Sequence, residues 1–140
     1  MSEPRSKTLE SHVYLRLMGD ECSPEEISAA LEIQPTMTWR KGDLRKNTII
    51  KETENGWELK SSLSLSDTIE DHIRHLLSII ESQEDKFVTY LEQCEGELSC
   101  AIYCRKLEEK YNPGIHLDRD ILKRVAKFGI SIDFDIYFLE

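Results

Sequence analysis

Residues Gly129 to Glu140 read G-I-S-I-D-F-D-I-Y-F-L-E. Ile130, Ile132, Phe134, Ile136 and Phe138 take every second place, with Ser131, Asp133, Asp135 and Tyr137 between them. A strand turns successive side chains to opposite faces, so the alternation predicts a strand with one apolar face and one acidic, aromatic face. Its row of bulky apolar residues makes it the expected centre of the sheet.

Three other stretches repeat the pattern. His12 to Met18 places Val13, Leu15 and Leu17 on one face and Tyr14 and Arg16 on the other. Trp57 to Leu63 follows an Asn55-Gly56 turn signal, and Leu98 to Arg105 sets Leu98, Cys100, Ile102 and Cys104 opposite Ala101, Tyr103 and Arg105. Between them lie helical patterns. Ser23-Pro24-Glu25-Glu26 reads as a capping-box start for a helix to about Glu32, ended by Pro35. Ser66 and Asp67 offer a cap for Thr68 to Ser82, where Ile69, Ile73, Leu76, Leu77 and Ile80 share one helical face. A further piece, Glu84 to Cys94, is expected to close at Gly96. After a polar loop over Lys106 to Gly114 and a short strand at Ile115 to Leu117, Asp118 caps a helix to Phe128, with Ile121, Leu122, Val125 and Phe128 inward. Strands greasy on one face suit a sheet covered by helices on one side. The expected fold is therefore α+β, a two-layer sandwich with a mainly antiparallel sheet, of ferredoxin-like type. A doubly wound sheet would need strands apolar on both faces. The domain expectation is a polar N-terminal lead-in over residues 1–10 and a single domain over 11–140.

A chain of 140 residues supports one core without staples. Its formal charge of −9 argues against nucleic acid and favours basic partners. No apolar run has the length of a membrane span, and the first residues lack the apolar core of a signal peptide, so the expected location is the cytoplasm. There, Cys22, Cys94, Cys100 and Cys104 are expected reduced and buried. Cys100 and Cys104 stand four strand rises of roughly 3.3 Å apart, too far for a disulfide.

The charge is uneven. Between Thr36 and Lys51, Arg40, Lys41, Arg45, Lys46 and Lys51 face the single acid Asp43, a local +4 in an acidic chain. From Asp67 to Glu97 nine acids face two bases, Arg74 and Lys86, so the helical layer is expected to be acidic outside.

Thr36-Met37-Thr38-Trp39-Arg40-Lys41-Gly42-Asp43, the later Gly56-Trp57-Glu58-Leu59-Lys60-Ser61-Ser62 and the closing Phe134-Asp135-Ile136-Tyr137-Phe138, with the Ser23-Pro24-Glu25-Glu26-Ile27 helix start, together resemble the bacterial family known as domain of unknown function 4279. The resemblance runs from about Val13 to the end, and Arg40-Lys41-Gly42-Asp43 is its most specific part. It implies a small α+β domain and brings no activity, substrate or catalytic residue.

The residues themselves offer few catalytic leads. No nucleophile elbow, phosphate loop or dinucleotide fingerprint is present. His72 and His75 share a helix at metal-ligand spacing, but with no third ligand nearby they read as ordinary histidines. Asp133 and Asp135 project from one strand face about 7 Å apart, where they would serve a hydrolase as acid and base or be solvated charges paired with Arg16 or Arg105. The expectation is no cofactor and no metal. Trp39 beside Arg40, Lys41, Asp43, Arg45 and Lys46 has the composition of a recognition turn. The bland alternative packs Trp39 under the sheet edge and uses the cations to neutralise the chain's own acids. The favoured function is a non-catalytic module of immunity or adaptor type. It would bind another protein, a basic one being favoured by the chain's own charge, through that turn and through Tyr14, Arg16, Tyr103, Asp133, Asp135 and Tyr137. The alternative is a pocket for an anionic small molecule held by Arg40 and Lys41, with hydrolysis third. Unpaired strand edges also permit a homodimer.

Overall fold

The computed structural model of the chain describes residues 9–105 and 114–139. Its elements run β1 (Leu9–Gly19), α1 (Pro24–Leu31), β2 (Met37–Trp39), β3 (Asn55–Lys60), α2 (Ile69–Ser82), α3 (Glu84–Gln93), β4 (Glu95–Arg105), α4 (Arg119–Phe128) and β5 (Ser131–Leu139). The strands form one sheet in the order β2-β3-β1-β4-β5. Every pairing is antiparallel except β4 with β5, which is parallel. The fold is therefore α+β with a mixed sheet.

Register explains the core. Leu17 lies opposite Trp57, Leu15 lies between Leu59 and Leu98, and Val13 faces Cys100, so the apolar rows of three strands form one continuous face. Onto it α2 lays Ile69, Ile73, Leu76, Leu77 and Ile80, all buried. Each such side chain contributes about 1.5–3 kcal/mol on leaving water. Trp57 is fully enclosed, and its indole N–H donates to Ser28 Oγ at 3.0 Å, tying α1 to β3. His72 is buried on the same side, with Nδ1 2.7 Å from Ser61 Oγ and no partner at Nε2. Burial lowers its pKa and keeps the ring neutral at physiological pH.

Several expectations are corrected. β5 is an edge strand, not the centre; β1 holds the middle, with β3 and β4 on either side. An apolar row reports which face is buried and carries no information on lateral neighbours. Glu10 and Leu9, assigned to the lead-in, pair with Tyr103 and Cys104. The strand after the Asn55-Gly56 signal begins at that pair and stops at Lys60. Ser23 caps α1 without a side-chain hydrogen bond, and Glu32 in the left-handed region ends the helix before Pro35. Thr68, not Ser66 or Asp67, caps α2 by accepting from the Asp71 amide. Extended Cys94 ends α3, and Gly96 belongs to β4. Ile115 to Leu117 forms no strand, and Leu122 points outward at 51 % exposure. The loop expected over Lys106 to Gly114 lies outside the described residues up to Pro113.

The cap on the last helix is as expected. Asp118 Oδ1 accepts from the Ile121 amide at 2.9 Å, and Gly129, at φ 65°, turns the chain into β5.

Candidate functional site

The second face of the sheet carries no helix among the described residues, and long side chains tile it. Rows follow from register: Met37, Glu58, Arg16, Glu97 and Ser131 lie in one line across all five strands, and Lys60, Tyr14, Ser99 and Asp133 in the next. Arg16 Nε donates to Glu58 Oε1 at 2.7 Å and leaves the Glu58 side chain only 5 % exposed. Two cations approach the Tyr14 ring, Arg16 at 5.7 Å and Lys60 at 5.8 Å from its centre. Further along, Tyr103 stacks on Tyr137 with centres 5.0 Å apart, and His12 meets Tyr103 edge-on at 5.2 Å. Burial first, then the neighbouring Asp133, raises the Glu97 carboxyl above the usual range.

At the β2 edge, the half-buried Trp39 ring lies flat over Gly56, so close that a Cβ there would overlap it. The expected alternatives for Trp39, an exposed anchor or a residue tucked under the edge, give way to a third placement on the open face. Trp39 forms the wall of a cleft of about 340 Å³ with Arg16, Met18, Met37, Arg45, Glu52, Glu54 and Glu58.

Beyond Trp39 the chain makes a hydrogen-bonded hairpin. The Gly42 amide donates to the Glu52 carbonyl at 2.8 Å, Glu52 to Asp43 at 2.7 Å and Arg45 to Ile50 at 2.8 Å, with Asn47 at φ 60° near the tip. Asp43 accepts from the Arg40 amide at 2.8 Å and closes the turn at its base. Three of the four candidate cations meet acids of the same chain. Arg40 pairs with Glu25 on α1, Lys41 approaches Asp20 at 3.9 Å and Arg45 contacts Glu52 at 3.3 Å. Lys46 is exposed near the tip and has no ion pair among the described residues.

The residues singled out in the sequence thus fall into two groups. Arg16, Trp39 and Arg45 meet at the cleft, while Tyr103, Asp133, Asp135 and Tyr137 lie on β4 and β5. Four strand spacings separate β2 from β5, roughly 19 Å. Tyr14 stands between the groups, and Arg40, Lys41, Asp43 and Lys46 belong to the hairpin. Asp133 and Asp135 are exposed, and Arg16 pairs with Glu58 rather than with either. His72 and His75 diverge, His72 inward to Ser61 and His75 outward to Ser62 Oγ at 3.0 Å. Sequence reasoning passed over the hairpin's apolar side chains: Leu44, Ile49 and Ile50 are 61 %, 93 % and 52 % exposed. Their one signal was an Ile-Ile pair in a polar run that fits neither the strand nor the helix period.

A family described as "Domain of unknown function (DUF4279)" matches residues 9–139, from the first residue of β1 to the last of β5. The chain belongs to that family. The match takes in both edges of the sheet and the hairpin between β2 and β3 as parts of one domain. Neither the curated proteins nor the solved structures provide a match to the chain.

Proposed function

We propose that this chain is a non-catalytic protein-binding module of immunity or adaptor type, which grips its partner with the hairpin after β2 and the adjoining part of the open sheet face. The observation that carries the reading is the exposure of Leu44, Ile49 and Ile50 on a hairpin held by its own backbone hydrogen bonds. Ordered apolar side chains beside Lys46 and Lys51 match the apolar centre and polar rim of a recognition surface. The cytoplasm is the proposed location, in keeping with four unpaired, buried cysteines.

The scaffold reading is ferredoxin-like with an added strand. In its support, β1 and β2 run parallel through α1 with β3 inserted antiparallel between them, and β4 flanks β1, a split β-α-β arrangement. On this view α4 and β5 are an extension at the β4 edge.

A second reading, an anionic small molecule, draws on the cleft beside Trp39. It ranks lower because Arg16 and Arg45 already face Glu58 and Glu52, which an anion would have to displace. Arg40 is likewise engaged by Glu25.

The test is capture from the native host's lysate by wild type and by Ile49→Asp/Lys46→Glu, with melting curves for both. A stoichiometric protein retained by wild type and lost by the variant, at an unchanged melting temperature, is the expected result. A partner that the variant holds equally well, or none in either case, sinks the reading. Arg40→Glu serves as a contrast, since it meets Glu25 and is expected to lower the melting temperature itself.

A further inference from the structure

The two edges of the sheet are built differently. β2 has only three residues, Met37–Trp39, between Pro35 on one side and Arg40-Lys41-Gly42 on the other. Shortness, proline and lysine are the devices by which edge strands avoid pairing with other chains. β5 has nine residues, Ser131–Leu139, with no proline, lysine or glycine. Among the described residues only β4 pairs with it, and no other described segment meets its outer row of N–H and C=O groups.

Side chains point the same way. Ile136, Tyr137, Phe138 and Leu139 are 42 %, 45 %, 72 % and 36 % exposed, an apolar run on both faces of the strand's second half. The first half carries the charges, Asp133 and Asp135. This division selects a partner and a register. We infer that β5 pairs antiparallel with β5 of a second copy, centred on Ile136, to join two sheets into one across a two-fold axis.

In that register Ile136 faces its own copy, Phe134 faces Phe138, Asp135 faces Tyr137 and Asp133 faces Leu139. Every residue from Asp133 to Leu139 finds a partner, and no acid meets an acid. A register centred on Asp135 would set that carboxylate against its twin, and one centred on Phe134 would oppose Asp133 and Asp135. Like charges directly opposite each other destabilise a pair of strands. A two-fold axis perpendicular to the sheet keeps both helical layers on one side, so Phe134, Ile136 and Phe138 of the two copies extend one apolar face. The hairpin after β2 lies at the opposite edge and stays open. The dimer is thus independent of the binding role proposed above, and would present two such hairpins at its ends.

The experiment measures mass by sedimentation on the full chain up to about 100 µM. Twice 16.3 kDa is expected for wild type. Ile136→Lys and Phe138→Lys, which place a charge on the edge, are expected to return the monomer with an unchanged circular dichroism spectrum. Register is read separately by oxidation with diamide. Ile136→Cys should give a cross-linked dimer because the new thiols face each other, whereas Asp133→Cys should give none. Wild type treated alike sets the background from the four buried native cysteines. A wild-type monomer throughout the range overturns the inference, as does a dimer that survives both lysine variants. Equal cross-linking through Asp133→Cys overturns the register. Should a lysine variant fail to fold, the cysteine pair still decides the matter.

Discussion

Glu97 shows how one side chain's environment is set by its neighbours across the sheet. It stands on the open face opposite Arg16 and Ser131, half-buried, with Asp133 close enough to oppose its charge. Burial and then Asp133 raise its pKa above the unfolded value, so the folded chain binds a proton more readily than the unfolded chain. Between the two pKa values stability therefore falls as pH rises, and above the folded value the penalty is complete. Glu97→Gln should raise the melting temperature at pH 7, and the gain should vanish below about pH 4, where the unfolded carboxyl is also protonated. Melting curves across that range check it. The sequence showed Glu97 as one acid among many. Its pairing with the last strand, and so its nearness to Asp133, followed from strand order, which residue pattern does not encode. The cations near Trp39 are a parallel case: composition marked Arg40, Lys41 and Arg45, while Glu25, Asp20 and Glu52 reach them through space.

Among the elements, α4 depends most on polar clamps. Its buried residues are Ile121, Val125 and Phe128, and Arg124 reaches α2 with a forked contact to Glu81 at 2.8 and 2.7 Å. Arg124 also meets Asp120 at 3.2 Å, while Lys127 bonds Glu84 at 3.0 Å and Arg74 on α2 bonds the capping Asp118 at 3.0 Å. The Arg124 guanidinium holds the Glu81 carboxyl below its usual pKa. Arg124→Ala should lower stability by about 0.5–1 kcal/mol in urea unfolding, less at high salt, because these groups remain partly in water. Loss of β5 order ahead of the rest, seen in amide exchange, should accompany it, since α4 delivers the chain into that strand. The helix and its caps were legible from Asp118, Gly129 and the apolar spacing between them. The outward turn of Leu122 was not, because a helical wheel places residues on a stripe and the breadth of the covered stripe depends on what packs against it.

At the scale of the molecule, one core gathers the four thiols. Cys22, in the turn after β1, donates to the Leu17 carbonyl at 3.5 Å, and the neighbouring Cys94 thiol at the end of α3, together with burial, raises the Cys22 pKa. Burial pushes the Cys100 thiol up to about 12. Cys22 and Cys100, buried and with their thiols held protonated, should therefore react with a thiol reagent at pH 8 no faster than the chain unfolds, and all four cysteines at once in denaturant. Labelling kinetics beside unfolding kinetics test this. The core positions themselves, Val13, Leu15, Leu17, Trp57, Leu98, Cys100 and the inner face of α2, were readable in advance, because alternation and helical spacing are local consequences of backbone geometry and of the cost of leaving apolar groups in water. The class of fold and the identity of the open face came from the same source. Strand order is a different kind of fact. Whether Gly129 to Glu140 becomes a centre or an edge depends on which strand finds which across loops of many residues, and its own pattern is equally satisfied by either place. Tertiary pairing put β1 in the middle and β5 outside, and so set Ile136 and Phe138 on an open edge, Trp39 over Gly56, and Leu44 and Ile49 on a hairpin in water.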